Sequence, residues 1–464
     1  MNVLAFDIGA SSGRAILSGY DGTVLKMREV YRFGNGMVNR GGHLYWDVPD
    51  LFAEMQTGLK AAVSEGKIRS IGIDTWGVDG AFIDSAGALL DLPFGYRDFS
   101  VEMMQAAIAV LGEAELYRIT GTQFLPFNTL FQFYRHSREH YRPYAIADRF
   151  LFMPDYLRFL FTGEKHTEYT IASTSQLIDA QKREWSSAIL SEYGIRCGLL
   201  GEICEPGTPC GTVNETGIPA IAIGGHDTAS AVLAVPAKAG DRSWAWLSSG
   251  TWSIMGIEAG GPIITAHART CNFSNEGGIN GTTRFLKNIM GLWIAQECQR
   301  LWSAQGNEYC YEELNNMVKK TAGTGSRIKV NDNRFLAPAN MLEEIREACR
   351  ETGQAIPATP GEIMRCILES LADEYAKTLC MLEDVTGNKV TVLHIVGGGS
   401  RNTVLNQMTA DACGIPVLAG PDEAAAVGNS MMQLITLGEL KNVEEGRQLV
   451  RASCEVRWYY PERE

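Results

Sequence analysis

Three apolar, strand-like runs in the sequence each end in an aspartate. Residues 3–6 lead into Asp7, residues 71–73 into Asp74, and residues 221–223 into the string that contains Asp227. Threonine follows both Asp74 and Asp227. A strand that ends in this way delivers a carboxylate to the rim of a sheet, and open α/β sheets bind ligands beyond the carboxyl ends of their strands. The pattern predicts a duplicated α/β fold whose chemistry is phosphoryl transfer.

The length of the chain indicates more than one domain. With 464 residues, the chain is too long to form a single hydrophobic core of ordinary size. The small residues around Pro236 break the pattern, so we expect an N-terminal domain over residues 1–235 and a C-terminal domain over residues 236–464. A strand–turn–strand pattern opens the chain and returns at residues 243–257. Helical periodicity or turn signals predict helices over residues 51–63, 101–119, 130–140, 289–304, 341–352, 361–386, 402–413 and 421–437.

Charge and cysteine usage exclude several classes of protein. A net charge of −13 argues against a general nucleic-acid binder. The N-terminus lacks a basic signal-peptide region, and apolar runs are too short to cross a bilayer, so we expect a cytoplasmic protein without a membrane partner. The 11 cysteines include no Cys-x-x-Cys and fit reduced thiols. Cys349 and Cys366 flank a turn-rich stretch and could lie close together.

The segment from Asp7 to Arg14 is a candidate phosphate-binding turn. Gly9 and Gly13 permit a tight turn and close backbone approach. Ser11, Ser12 and Arg14 would donate hydrogen bonds to phosphate oxygens, and Asp7 could hold Mg²⁺ through water. An ordinary hairpin with a polar turn is the alternative interpretation.

Two further glycine-containing turns occur in the second half. Ser248-Ser249-Gly250-Thr251 is a second candidate phosphate turn, and Gly397-Gly398-Gly399 follows an apolar strand where a flat adenosine could lie on the backbone. The sequence contains no Gly-x-x-x-x-Gly-Lys-Ser/Thr, no Gly-x-Gly-x-x-Gly and no protein-kinase signature set. Nucleotide binding would therefore use a different architecture.

Asp227 is the candidate general base. Phosphoryl transfer requires the acceptor hydroxyl to be oriented and its proton accepted as the oxygen attacks. The alternative is that Asp227 only caps a helix starting near Thr228, because aspartate is a good N-cap residue. The two roles can coexist.

Four motifs in this order resemble the FGGY carbohydrate kinases, a family of the sugar kinase/Hsp70/actin superfamily. They are Asp-Ile-Gly-Ala-Ser-Ser-Gly-Arg from Asp7, Gly-His-Asp-Thr from Gly225, Leu-Ser-Ser-Gly-Thr-Trp from Leu247 and Val-Gly-Gly-Gly from Val396. Further stretches resemble the family members that phosphorylate L-rhamnulose. They begin at Trp46, Ile73, Gln123, Met153 and Leu286.

The resemblance implies two ribonuclease-H-like α/β domains with ATP in an active-site cleft between them. The N-terminal domain would bind the sugar and carry the catalytic base, and the C-terminal domain would bind the adenosine. It implies ATP-dependent phosphorylation of L-rhamnulose at the 1-hydroxyl, with Mg²⁺ near Asp7 and Asp227 as the proton acceptor. The implied sugar contacts are Gly77, Asp79, His226, Asp227, Thr228 and Asn288. The implied ATP contacts are Ala10, Ser11, Ser12, Gly13, Arg14, Thr251, Gln296 and Gly398. Cystine positions suspected in some relatives hold Val63, Val213 and Thr409 here, so Cys349 and Cys366 form the one pair that could match.

Other functions stay open at this point. A kinase for another ketose, such as L-fuculose or xylulose, would carry the same motifs. A catalytically silent sugar or nucleotide sensor would be favoured by loss of the aspartate at position 227, which is present. We expect a monomer or a weak homo-oligomer with no nucleic-acid partner.

Overall fold

The computed structural model describes residues 1–462, which form two compact units. The first unit comprises Met1–Ala239, Glu258–Leu286 and Ala424–Cys454. The second comprises Gly240–Ile257, Lys287–Glu423 and the described residues from Glu455 onward. These units differ from a single division between residues 235 and 236, because two later segments return to the first unit. How the sugar and adenosine sites divide between the halves stays a prediction.

The strands belong to two larger sheets and several short pairs. They are β1 (Asn2–Ile8), β2 (Ser12–Tyr20), β3 (Leu25–Gly34), β4 (Met37–Arg40), β5 (His43–Trp46), β6 (Ile68–Thr75), β7 (Gly80–Ile83), β8 (Arg149–Phe152), β9 (Thr167–Glu168), β10 (Ile178–Asp179), β11 (Glu184–Trp185), β12 (Ile203–Cys204), β13 (Pro209–Thr212), β14 (Pro219–Ile221), β15 (Trp244–Ser249), β16 (Trp252–Ala259), β17 (Ser274–Gly277), β18 (Thr283–Met290), β19 (Val392–Val396), β20 (Val417–Ala419) and β21 (Arg457–Tyr459).

Seventeen α-helices are distributed over the described residues. They are α1 (Val48–Ser64), α2 (Val101–Leu111), α3 (Glu113–Thr120), α4 (Thr129–Arg138), α5 (Arg142–Ile146), α6 (Met153–Thr162), α7 (Tyr169–Ala172), α8 (Ser187–Glu192), α9 (Asp227–Leu233), α10 (Ala266–Thr270), α11 (Trp293–Ala304), α12 (Tyr311–Lys320), α13 (Met341–Glu351), α14 (Pro360–Thr386), α15 (Thr403–Cys413), α16 (Ala424–Thr436) and α17 (Val443–Ser453). Within residues 1–462, every helix is too short or too polar to span a bilayer.

The sheet of the first unit has the strand order β13-β14-β6-β1-β2-β3. Strands β1, β2 and β3 form an antiparallel meander, whereas β6 pairs parallel with both β1 and β14. Residues 3–6 of the central strand β1 are completely buried. Helix α16 returns to this sheet, where Gln433 donates to the carbonyl of Leu4 at 3.0 Å. This contact explains why a late segment belongs to the first unit.

The second unit repeats the arrangement. Its strands run in the order β18-β16-β15-β19-β20-β21, and the end of β18 belongs to this unit. Strand β15 pairs antiparallel with β16 and parallel with β19, as β1 pairs with β2 and β6. The predicted duplicated α/β fold of two ribonuclease-H-like domains is confirmed, because the meander and the parallel strands recur in the same order.

Local chemistry explains several helix boundaries. Helix α14 begins with a capping box between Thr359 and Glu362 and ends at Gly387, whose φ of 69° is left-handed. The helix expected over residues 101–119 is two helices, because Gly112 takes a φ of 87° and interrupts it. The helix expected to begin at residue 289 begins at Trp293, because residues 289 and 290 extend strand β18.

Candidate active site

Two aspartates stand side by side at the carboxyl ends of the central strands of the first unit. Asp7 of β1 lies in register with Asp74 of the parallel strand β6. Asp74 is completely buried, and its Oδ2 accepts a hydrogen bond from the Asn429 side chain at 2.6 Å. Its Oδ1 has no hydrogen-bond partner within the described residues. Burial, together with the charge of Asp7, raises the pKa of Asp74 well above the ordinary value.

Asp227 lies beside these strand ends as the first residue of α9. The backbone N–H of Thr75 donates to the carbonyl of Gly225 at 2.9 Å, which fixes the segment before Asp227 against β6. The helix begins at Asp227, so His226 occupies the N-cap position. The alternative in which Asp227 caps the helix is therefore not what the structure contains.

The carboxylate of Asp227 is partly satisfied and partly accessible. Its Oδ1 accepts hydrogen bonds from the Thr228 backbone N–H at 2.5 Å and from the Thr228 hydroxyl at 3.1 Å. The side chain nevertheless keeps 35% of its surface exposed. The desolvated surroundings raise the pKa of Asp227, the charge of Asp7 adds to this effect, and His226 opposes it. A carboxylate with a raised pKa is a stronger base than an ordinary surface aspartate.

A buried pair of charged side chains holds His226. Nη1 of Arg284 lies 3.1 Å from Nδ1 of the imidazole, and Oε2 of Glu276 lies 3.3 Å from the same nitrogen. The ring is thus held through Nδ1, which faces a guanidinium donor on one side and a carboxylate acceptor on the other. Nε2 lies 3.5 Å from Oδ1 of Asp227. These contacts direct the Nε2 side of the ring toward the candidate base.

Gly77 brings the backbone close to this histidine. A Cβ at position 77 would lie 3.4 Å from Nε2 of His226. The next residue, Val78, has a φ of 68°, which a β-branched side chain rarely adopts and which costs about 1–3 kcal/mol. Hydrogen bonds hold it on both sides, from its N–H to Thr174 at 3.1 Å and from Thr129 to its carbonyl at 2.7 Å. Strain of this kind is concentrated at functional sites.

Asp79 occupies a different environment from that expected of a sugar contact. It is completely buried, and its Oδ2 accepts from the indole N–H groups of Trp46 and Trp76 at 2.7 and 3.1 Å and from the backbone of Tyr96 at 3.0 Å. Its Oδ1 accepts from Gln132 at 2.9 Å. Burial raises the pKa of Asp79 to about 7, against the opposing effect of these donors. These contacts suit a positioning residue for the strained turn more than a direct ligand of the sugar.

The first candidate phosphate turn has the expected tight shape. The N–H of Gly9 donates to the carbonyl of Ser12 at 2.9 Å, and the Asn35 side chain donates to the Gly9 carbonyl at 2.7 Å. Ser11 at its tip is exposed, and Ala10 and Ser12 are half-buried. These positions leave the turn accessible to a ligand.

Gly13 and Arg14 of the same segment have structural partners. A Cβ at Gly13 would lie 2.2 Å from the Phe33 ring, so this glycine is required for packing. Arg14 donates from Nη2 to Oδ2 of Asp7 at 2.5 Å. The guanidinium is thus held at the end of β1, beside the carboxylate expected near Mg²⁺.

In the second unit, the structure brings two predicted ATP residues together. The hydroxyl of Thr251 donates to Oε1 of Gln296 at 3.2 Å. The backbone supports this contact, since the N–H groups of Leu292 and Trp293 donate to the carbonyls of Gly250 and Thr251 at 3.0 and 3.1 Å. The turn after β15 is thereby fastened to the start of α11.

Gly398 lies at the neighbouring strand end. Ser248 of β15 pairs in register with Val396 of β19, which places the turn containing Thr251 beside the glycine run. A Cβ at Gly398 would meet open space, whereas one at Gly399 would lie 2.0 Å from Oγ of Ser249. Gly399 is therefore needed for packing, and Gly398 offers an open backbone surface. Asn288 is half-buried on β18 of this unit.

The sequence reasoning missed three polar residues of the first unit, and it placed Asp74 at the sheet rim without giving it a role in the site. Asp74 carries a visible signal, because it repeats the strand–Asp–Thr pattern. Glu276 and Arg284 lie about 50 residues or more beyond His226 in a hairpin without a recognisable motif. Glu168 accepts the Gly225 N–H at 3.0 Å from a similar distance along the chain. Only long-range packing reveals these three.

Two family models and one curated protein match this chain over most of its length. A model of the N-terminal domain of the FGGY family of carbohydrate kinases matches residues 2–234, and a model of its C-terminal domain matches residues 245–437. The chain is 44% identical to the rhamnulokinase of Bacteroides thetaiotaomicron, over 99% of this chain and 96% of that protein.

Solved structures share the fold. Ligand-bound xylulose kinase from Lactobacillus acidophilus matches with a TM-score of 0.78 at 15% identity, over 99% of this chain and 94% of that one. Plasmodium falciparum glycerol kinase with ADP matches with a TM-score of 0.76 at 16% identity and the same coverage. With family models matched over nearly its whole length, this chain belongs to the FGGY family of carbohydrate kinases.

Proposed function

We propose that this carbohydrate kinase transfers the γ-phosphoryl group of ATP to the 1-hydroxyl of L-rhamnulose, giving L-rhamnulose 1-phosphate and ADP in rhamnose catabolism. The identity to a rhamnulokinase over the full length supports the choice of sugar. The observation that carries the chemistry is the accessible, desolvated carboxylate of Asp227 at the strand ends, beside His226. A rigid helix start holds this carboxylate where an acceptor hydroxyl can reach it.

Asp227 would act as the general base. As the 1-oxygen of the sugar attacks the γ-phosphorus, the hydroxyl proton passes to the carboxylate, and the bond to the ADP oxygen breaks. Nε2 of His226 and the backbone at Gly77 would orient the sugar from the adjacent side. Thr228 would hold Oδ1 of Asp227 through its two hydrogen bonds, so that the carboxylate keeps one orientation during proton transfer.

The phosphates and the divalent ion would be bound at the ends of β1 and β6. The carboxyl groups of Asp7 and Asp74, the latter with an unpartnered Oδ1, offer two neighbouring oxygen ligands that fit a hydrated divalent cation. Asp7 would hold Mg²⁺, with Asp74 beside it. The ion, bound with ATP, would neutralise charge on the phosphates. Arg14 would donate to phosphate oxygens from its position next to Asp7.

The remaining predicted ATP residues divide into two groups. Ala10, Ser11, Ser12 and Gly13 would offer backbone and hydroxyl donors to the phosphates. Thr251 and Gln296 would contribute a second polar pair, and the open backbone at Gly398 would accept the adenosine. Asn288 remains a proposed sugar contact. We also propose that the enzyme works in the cytoplasm as a monomer or weak homo-oligomer; its cysteines are free thiols, which suits a reducing compartment.

A substrate screen tests the assignment. ADP release would be measured with Mg²⁺-ATP and a panel containing L-rhamnulose, L-fuculose and xylulose, and phosphorus NMR would locate the phosphate on the product. We expect the highest kcat/KM with L-rhamnulose and a 1-phosphate product. A clear preference for another ketose would overturn the sugar assignment and leave the kinase class intact, while no turnover of any sugar would favour a sensor.

A further inference from the structure

A cluster of soft ligand atoms lies in the first unit, away from the residues proposed for catalysis. The imidazole of His166 and the thiols of Cys204 and Cys210 each direct one ligand atom into a common space, and these atoms all lie within 4.8 Å of one another. Cys210 is buried, and the other two side chains are half-buried. An ion could therefore enter from solvent and reach all three groups.

The ligand set has a specific chemical preference. Two sulfurs and one imidazole suit Zn²⁺ or a similarly soft cation and do not suit Mg²⁺ or Ca²⁺, which prefer oxygen. Tetrahedral zinc has Zn–S distances of about 2.3 Å and Zn–N distances of about 2.0–2.1 Å, which places ligand atoms roughly 3.8 Å apart. The three ligand atoms would therefore have to move closer together by about an ångström or less, which rotation of the His166 and cysteine side chains can supply.

A fourth ligand is within reach. Oε2 of Glu164 lies 3.9 Å from Nε2 of His166, and the Glu164 side chain is 59% exposed and free to rotate. Gly211, which follows Cys210, would place a Cβ 2.7 Å from Cγ of Glu164, so the carboxylate arm packs against the strand that carries Cys210. The cluster itself contains two thiols and one imidazole, and the Glu164 carboxylate lies beside the imidazole.

A buried ion pair lies beside the two thiols. The guanidinium of Arg158 lies close to both cysteines and is paired with Asp155 at 2.7 Å. Two thiolates would cancel the charge of a divalent ion beside Arg158.

We propose that His166, Cys204 and Cys210 bind one Zn²⁺ ion, with Glu164 as the fourth ligand. Each thiol releases its proton to solvent as its Zn–S bond forms. The ion would link Cys204 of strand β12 to His166, which directly precedes β9. Cys204 already lies in register with Glu168 of that strand. Glu168 in turn accepts the N–H of Gly225, two residues before Asp227. The ion would therefore stabilise the framework behind the catalytic segment.

Zinc binding to the reduced full-length protein tests this proposal. The chelator-treated protein would be titrated with Zn²⁺ and, separately, with Co²⁺, whose thiolate complexes absorb in the near ultraviolet. We expect about one equivalent of tight binding, a thiolate-to-cobalt band and a higher thermal midpoint with zinc. Cys204→Ser and Cys210→Ser should abolish the band and the thermal shift, while Glu164→Gln should weaken binding by about tenfold.

Cys197→Ser is the matched control, because Cys197 is an exposed thiol outside the cluster. It should bind zinc as the unaltered chain does. The proposal would be overturned if Cys210→Ser bound zinc as tightly as the unaltered chain. It would also be overturned by a reduced protein that binds neither metal but forms a disulfide on treatment with glutathione disulfide, provided that peptide mapping assigns this disulfide to Cys204 and Cys210, since the two would then be a redox pair. Because none of these measurements uses the kinase reaction, their outcome is independent of the proposed sugar.

Discussion

Nη1 of Arg284 lies 3.1 Å from Nδ1 of His226, and this contact leaves Nε2 of the imidazole facing Asp227. The arginine side chain is 1% exposed, so its position is set by the fold and not by solvent. It also donates from Nε to the Gly277 carbonyl at 2.7 Å, which fixes the guanidinium plane. A residue outside every recognised motif thereby sets the orientation of a histidine inside one.

Removal of the proposed base should affect turnover and spare nucleotide binding. Asp227→Asn keeps an oxygen that can accept from Thr228, so the helix start should persist. The loss of proton acceptance should lower kcat by about 10²–10⁴-fold, with the KM for ATP nearly unchanged. Steady-state kinetics measure both quantities, and Asp84→Asn, at a half-buried residue of a turn outside the proposed site, serves as the control. A near-normal kcat would refute the catalytic role.

The pH dependence of the reaction should reveal the raised pKa of Asp227. A base works in its deprotonated form, so kcat/KM should fall as the pH drops below this pKa, and the midpoint should lie above the ordinary aspartate value of about 4. His226 opposes the rise, so His226→Gln should move the midpoint to higher pH. Profiles of kcat/KM for the sugar would be compared. An identical midpoint in both proteins would contradict the electrostatic influence of His226.

The two glycines of the first turn should behave differently. Gly9→Ala places a methyl group 3.5 Å from its nearest neighbour, the Ser12 carbonyl oxygen, so stability should be unaffected. If phosphate lies on this turn, the KM for ATP should rise, with a tenfold change equal to about 1.4 kcal/mol. Gly13→Ala should instead lower the free energy of unfolding by about 1–3 kcal/mol through its clash with Phe33. Urea unfolding and ATP kinetics separate the two effects, and unchanged ATP kinetics in Gly9→Ala would remove the turn from the nucleotide site.

The glycine run after β19 offers a matched pair. Gly398→Ala adds a methyl group to open space and should raise the KM for ATP without loss of stability. Gly399→Ala should destabilise the protein by about 1–3 kcal/mol because its Cβ would overlap Ser249. The double variant Gly399→Ala with Ser249→Gly should recover part of that loss, as measured by thermal unfolding. Nucleotide kinetics that stay normal in Gly398→Ala would argue against adenosine at this position.

Asp79 should contribute to stability in a pH-dependent way. Asp79→Ala leaves four buried N–H donors without their acceptor and should cost about 3–5 kcal/mol in total. Its folded pKa of about 7 exceeds the unfolded value of about 4, so the folded chain binds this proton more tightly and stability falls as the pH rises between them. Urea unfolding across this range should show a smaller fall in the variant. An unchanged slope would show that Asp79 does not titrate there.

Local sequence pattern determined the elements that depend on neighbouring residues. The strand–turn–strand openings, the aspartates at strand ends and the helix limits of α14 follow from residue periodicity, glycine and capping chemistry, which act over a few positions. The prediction of one helix over residues 101–119 was wrong. The apolar periodicity continues across Gly112, but the helical backbone conformation is interrupted there.

Tertiary structure decided which distant groups meet. Packing of hairpin β17–β18 brings Glu276 and Arg284 to His226, and the return of α16 places Asn429 on Asp74. The four donors around Asp79 come from separate segments and meet at one buried carboxylate. These contacts form because whole sheets and helices are buried against each other. The free energy of that burial is distributed over many residues, so a local sequence pattern does not predict the contacts.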